Sequence, residues 1–170
     1  MKPHNSFWAA FRFAGGGIWH TLRNQRNFRV HVSVAIIVVC MGWIFNLSRV
    51  SWALIVLAMA LVLGLELVNT GLEALTDLAS PGYHRLAGAA KDAAAGAVLV
   101  AAAASVVLGL IVYQPQLTHF RQHFMVRWHQ NPALIIGLGV CLIISLVLLW
   151  GFVPARQRGE GGQNQNGDTP

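Results

Sequence analysis

Leu65-Glu66-Leu67-Val68-Asn69-Thr70-Gly71-Leu72-Glu73-Ala74-Leu75-Thr76-Asp77 closes an apolar run that begins at residue 52 and is long enough to cross a bilayer. A charged side chain near the middle of a membrane helix costs roughly 2.5 to 3.5 kcal/mol on insertion scales, so acids placed there mark a site or a pathway. Helix geometry gathers them. At about 100° per residue, Glu73 falls about 20° from Glu66, Asp77 about 20° to the other side, Thr70 about 40° away and Asn69 about 60° away. One narrow stripe thus carries carboxylates and an amide. The whole chain has six acidic residues, Glu66, Glu73, Asp77, Asp92, Glu160 and Asp168, and the last two belong to a polar tail. Every acid in the body of the protein lies between residues 66 and 92.

The composition, 55% hydrophobic and 11% charged over 170 residues, excludes a soluble domain and marks an integral membrane protein. Four stretches meet the length of a span: residues 30–47, 52–75, 93–112 and 133–153. The first apolar stretch begins too late, and after too mixed a segment, to be a signal peptide. With the N terminus cytoplasmic, Lys2, Arg12, Arg23, Arg26, Arg29, Arg85, Lys91, Arg156 and Arg158 fall on the inner side, against Arg49, Arg121 and Arg127 outside. Both termini and the 76–92 connection then face the cytoplasm. Topology and attraction to anionic headgroups account for the net charge of +6, so nucleic acid is not a partner.

The predicted architecture is all-α: an interfacial amphipathic helix within residues 1–29, a three-span core over 30–112, an extracytoplasmic linker over 113–132, an additional C-terminal transmembrane helix over 133–153, and a disordered cytoplasmic tail over 154–170. Phe7, Trp8, Phe11, Ile18, Trp19 and Leu22 supply the apolar face of the first helix. Gly15, Gly16 and Gly17 are its weak point, at about 1 kcal/mol per glycine relative to alanine, and are where a kink or a close ligand approach is expected. The triplet is not a Walker loop, which needs Gly-Lys-Ser/Thr, whereas Ile18, Trp19 and His20 follow here.

Pro81-Gly82 signals a turn that returns Lys91 and Asp92 toward Glu73 and Asp77. Acids for Mg²⁺, a cation for phosphates and a base for an incoming hydroxyl are the elements of phosphoryl transfer. Glu66 lies about 10 Å deeper than Glu73 along the helix, within reach of a lipid hydroxyl.

The run Glu66 to Asp77, followed by Tyr83-His84 and by Ala90-Lys91-Asp92-Ala93-Ala94-Ala95-Gly96-Ala97-Val98, resembles the prokaryotic diacylglycerol kinase family. Arg26-Asn27-Phe28-Arg29-Val30-His31 resembles the corresponding element of its undecaprenol kinase branch. The likeness covers residues 6–112. It implies a homotrimeric kinase of the bacterial inner membrane that moves the γ-phosphoryl group of Mg-ATP to the hydroxyl of diacylglycerol or undecaprenol, giving phosphatidic acid or undecaprenyl phosphate. By resemblance, Glu66 is the catalytic base, Asn69 supports it, and Glu73 holds Mg²⁺ with the nucleotide. Arg12, Gly82, Tyr83, His84, Lys91 and Asp92 contact ATP, and Arg29 and Glu66 meet the lipid. Gln25 stands where the family has a second metal-binding glutamate, which leaves Asp77 as a substitute acid. The fourth span lies outside the likeness.

Two other readings compete. The acid stripe of an oligomer would conduct protons or ions, moving them in vesicles without nucleotide, but would leave Lys91 and Asp92 idle. A structural protein would pair the same acids with Lys91 and Arg85 and do neither. His119, His123 and His129 read as solvated loop histidines rather than metal ligands, the six tryptophans as interfacial anchors, and Cys40 and Cys141 as small packed residues. His31, at the cytoplasmic start of the first span, has two readings: the resemblance places it near the site, whereas an interfacial histidine needs no function.

Overall fold

The structure, a computed structural model, describes residues 7–80, 82 and 84–150, with side chains as far as residue 147. The expectations for Tyr83 and for the tail over 154–170 lie outside the described residues. Among the described residues six helices follow one another: α1 (Phe7–Asn24), α2 (Arg26–Phe45), α3 (Arg49–Ala79), α4 (Arg85–Leu117), α5 (Phe120–Gln130) and α6 (Pro132–Trp150). The fold is an all-α membrane bundle. Helices α2, α3 and α4 are each long and apolar enough to cross a membrane, and α5 and α6, bent by 116° at their junction, pass the same test as a pair.

The α2–α3 hairpin sets the register of the acid stripe. Asn46 takes the left-handed conformation (φ 53°, ψ 54°) that ends α2, and the Leu47 amide reaches back to the Gly42 carbonyl at 3.2 Å. Ser48 then caps α3, its hydroxyl accepting from the Ser51 amide at 3.1 Å. Only Asn46, Leu47 and Ser48 separate the two helices. Gly42 admits this tightness, because a Cβ there would sit 2.7 Å from the Trp52 ring. Next to the hairpin, Phe45, Ile55 and Tyr113 form the buried core, and the Tyr113 hydroxyl donates to the Val38 carbonyl at 2.8 Å.

Helix α6 lies antiparallel on α2. Ser33 donates to the Ser145 carbonyl and Ser145 to the Ser33 carbonyl, each at 3.1 Å, and farther along the Cys40 thiol reaches the Leu138 carbonyl at 4.0 Å. Both serines are 1% exposed. Their hydroxyls are satisfied where lipid offers no partner.

Several expectations are corrected in extent. Helices α3 and α4 run past their apolar stretches, since a polar sequence can extend a helix into the interface. The linker expected over 113–132 is largely helical, and of its three histidines only His119 is in a turn. His119 precedes α5 while His123 and His129 lie on it, with the His123 ring edge-on to Phe45 at 5.8 Å. Phe120, Phe124 and Trp128 stack along α5 at 6.1 and 6.4 Å, which gives this polar segment an aromatic ridge. Helix α1 continues unbroken through the three glycines, where an added Cβ would meet nothing within 4 Å. Its side chains are largely exposed, and only Thr21 is buried.

Candidate active site

Helix α3 carries its acids from a dry region to a wet one. Glu66 is 3% exposed. Glu73 is half-buried, and the Asp77 side chain is 69% exposed. The antiparallel register of α2 presents one side chain to each of the two deeper acids, so the pairs form two rungs. Gln25, at the start of α2, donates from its amide to Glu73 Oε2 at 3.3 Å. His31 brings Nε2 to 3.3 Å from Glu66 Oε1.

Around Glu73 the site is an amide-lined carboxylate. Asn69 donates to Oε1 at 3.1 Å while Gln25 holds Oε2. The Asn69 carbonyl oxygen is buried without a hydrogen-bond partner. Among the described residues no group of three His, Cys, Asp or Glu side chains is arranged to hold a metal. That set nevertheless fits Mg²⁺, which binds through one or two carboxylates and substrate phosphates rather than an all-protein cage. Glu73, the unpartnered Asn69 oxygen and, after an amide flip, the Gln25 oxygen are hard donors on one side of it.

Lys91, near the start of α4, is hydrogen-bonded to Asp77, which lies one turn beyond Glu73. Both groups are solvated enough for the pair to exchange partners easily. His84 caps α4 without a side-chain bond, Gly82 is exposed just before it, and Asp92 is exposed about two turns into the helix. Arg12 is exposed on α1 with its guanidinium 5.5 Å from the centre of the Phe13 ring, and among the described residues no hydrogen bond or ion pair joins it to the acids. Arg29 is buried and donates to the Arg23 carbonyl at 3.1 Å, which ties the end of α1 to α2.

Beyond Glu66 the character changes. A groove of about 330 Å³ runs between α2, α3 and α4, from His31 past Val38, Met59, Val62 and Val106 to Tyr113. Its α2 wall, from Val30 to Met41, is about 17 Å long at 1.5 Å per residue, close to half of a bilayer's hydrocarbon thickness. The hydroxyls of Ser105 and Tyr113 on its walls donate to the Ala101 and Val38 carbonyls. The acid stripe therefore gives way to an apolar channel of one leaflet's depth.

The sequence profile of prokaryotic diacylglycerol kinase matches residues 12–113. The chain belongs to the prokaryotic diacylglycerol kinase family. It is a membrane lipid kinase, and its family uses ATP. The chain is 44% identical to an undecaprenol kinase of Bacillus subtilis over 113 residues, 66% of this chain and 92% of that protein. It is 41% identical to a diacylglycerol kinase of Synechocystis sp. over 109 residues, 64% of this chain and 62% of the relative. The diacylglycerol kinase of Escherichia coli (strain K12) is 32% identical over 106 residues, 58% of this chain and 84% of the relative. No solved structure matches the chain. Helices α5 and α6 lie beyond the family match, as expected for an added segment.

Of the expected site residues, Gln25, Asn69 and Glu73 meet, and Lys91 meets Asp77. Glu66 stands apart, paired with His31, which lines the groove and which the resemblance had placed near the site without a stated role. The signal for His31 was available in the hairpin. Folding α2 back on α3 about a three-residue turn sets residue 31 opposite residue 63, within one helical turn of Glu66.

Proposed function

We propose that the chain transfers the γ-phosphoryl group of ATP to undecaprenol, with Glu66 as the base, at the boundary between the acid stripe and the apolar groove. The observation that carries this reading is the position of Glu66, buried, about 10 Å deeper than the Glu73 cluster, and paired with His31, which lines the head of an apolar groove. The acceptor chain lies in the groove and its hydroxyl faces the Glu66 carboxylate. Glu66 takes the hydroxyl proton as the acceptor oxygen attacks the γ-phosphorus, and the bond from that phosphorus to the β-phosphate bridging oxygen breaks, releasing ADP.

Glu73, Asn69 and Gln25 would hold Mg²⁺, which supplies charge neutralisation on the nucleotide phosphates. Asn69 and Gln25 keep the Glu73 carboxylate aimed, and Lys91 exchanges Asp77 for a phosphate. Arg12, Gly82, Tyr83, His84 and Asp92 complete the nucleotide pocket. Arg29 fixes α1 over the lipid entrance. The active protein is a homotrimer in the bacterial inner membrane, with both termini cytoplasmic and α6 as its fourth span. The similarity to an undecaprenol kinase supports the acceptor, and the excess of basic residues at the α1 and α3–α4 ends supports the orientation.

The test is phosphorylation of undecaprenol and diacylglycerol, offered side by side in mixed micelles with Mg-ATP. Undecaprenyl phosphate as the main product, with Glu66→Gln inactive, is the expected result. Phosphatidic acid as the main product reassigns the acceptor, and an active Glu66→Gln removes the base.

A further inference from the structure

The groove and the acid stripe share one polar contact. His31 lines the head of the groove and brings Nε2 to 3.3 Å from Glu66 Oε1. Among the described residues it is the only side chain in ion-pair or hydrogen-bond contact with the Glu66 carboxylate. The other two polar side chains lining the groove, Ser105 and Tyr113, donate to backbone carbonyls. A base in apolar surroundings must also be held in place, because a carboxylate on a flexible stem presents either oxygen and rotates freely unless one oxygen is fixed.

We propose that His31 is a positioning residue. By engaging one oxygen of Glu66 it fixes the carboxylate plane and leaves the other oxygen for the acceptor hydroxyl. The inference rests on the lipid-kinase reading with Glu66 as base. The α2–α3 register sustains it, since the same pair of helices sets Gln25 against Glu73 one rung nearer to water. The ring is 24% exposed, and its place on the groove wall puts it beside the path of the acceptor.

The test compares the full chain with His31→Leu, His31→Gln and His31→Asn in mixed micelles, at saturating Mg-ATP with undecaprenol varied. Glutamine carries an N–H donor at nearly the reach of the imidazole Nε2. Asparagine carries the same amide one methylene short. His31→Leu and His31→Asn are expected to lower kcat by about 30-fold or more, the scale of loss that follows a misplacement of about 1 Å. Lipid and ATP KM are expected to change less than about threefold, because the lost contact acts on the transition state. His31→Gln is expected to stay within about fivefold of the parent kcat, with melting temperatures of the two amide variants alike.

A merely structural histidine would not separate glutamine from asparagine. Equal kcat for those two variants overturns the inference, even where His31→Leu fails to fold. A kcat for His31→Leu close to the parent's also overturns it, and leaves the lipid-kinase reading intact. An inactive parent protein overturns that reading and the role of His31 with it.

Discussion

Gln25→Glu tests the metal assignment most directly, because it adds one charge at a known position. The Gln25 amide lies 3.3 Å from Glu73 Oε2, so the new carboxylate would face the old one. Two unit charges 4 Å apart repel by about 4 kcal/mol at an effective dielectric of 20, which is a ceiling here. Both side chains are half-exposed, and solvent with side-chain rotation brings the penalty down to about 1 kcal/mol. Loss of the amide-to-carboxylate hydrogen bond adds about 1 kcal/mol. The variant without metal should therefore melt a few degrees lower than the parent. With Mg²⁺ the sign reverses. A charged ligand in place of a neutral amide is worth about 1.5 to 3 kcal/mol, or roughly a 10- to 150-fold tighter site. Initial rates of lipid phosphorylation, measured against free Mg²⁺ at fixed ATP, should show half-activation at a concentration at least about tenfold lower. Thermal unfolding with and without Mg²⁺ should show the metal restoring the lost stability. Half-activation unchanged from the parent, together with melting indifferent to Mg²⁺, would refute the placement of the metal between Glu73 and Gln25.

Two further outcomes follow from the side chains flanking that centre. Lys91→Met should raise the ATP KM by about tenfold or more, whereas Asp77→Asn should change it less than about fivefold, since an exposed ion pair contributes about 0 to 1 kcal/mol; a tenfold shift in Mg²⁺ requirement on Asp77→Asn would instead make Asp77 a metal ligand. Ser33→Ala and Ser145→Ala should each lower stability in detergent by about 0.6 kcal/mol, and the double variant by about the sum, because the two bonds end on different carbonyls. A double variant no less stable than either single one would mean that α6 is not seated on α2 at these positions.

The acid stripe was legible in the sequence because helix periodicity alone aligns Glu66, Asn69, Glu73 and Asp77. The return of Lys91 to the stripe was legible from the turn signal and the short connection. The hydropathy pattern also placed the apolar helices, though not their ends: α3 reaches Ala79 and α4 begins at Arg85, well beyond the apolar runs. What hydropathy could not show is which residues of one helix face which residues of another. That depends on the three-residue turn of Asn46, Leu47 and Ser48 and on Gly42 admitting Trp52. The resemblance placed His31 near the site, but its pairing with Glu66 was not legible for this reason. Helix α5 was missed for another: a search for apolar length passes over a polar segment whose helical signal is an aromatic repeat at every fourth residue. The seat of α6 depends on two serines that are unremarkable in the sequence and meaningful only once they face each other.

The order of exposure along α3 decides between the chemical reading and the conducting one. A path for ions needs polar groups from one side of the membrane to the other, and here they stop. Asp77 is solvated, Glu73 half-buried among amides, and Glu66 buried against His31, and the groove that His31 heads is apolar, with the hydroxyls of Ser105 and Tyr113 turned to backbone carbonyls. A stripe that ends in an apolar groove suits a reaction between partners from two solvents. On the proposed reading, the nucleotide would exchange with water at the wet end, where Lys91 and Asp77 part cheaply, and the acceptor would leave the apolar phase only at its hydroxyl. On the proposed reading, Glu66 would be the first acid that such a hydroxyl meets, and Glu73 with its amides would hold the Mg²⁺ that neutralises the phosphates. The separation of about 10 Å between them along the helix would then be the span that the phosphates and the acceptor oxygen bridge together.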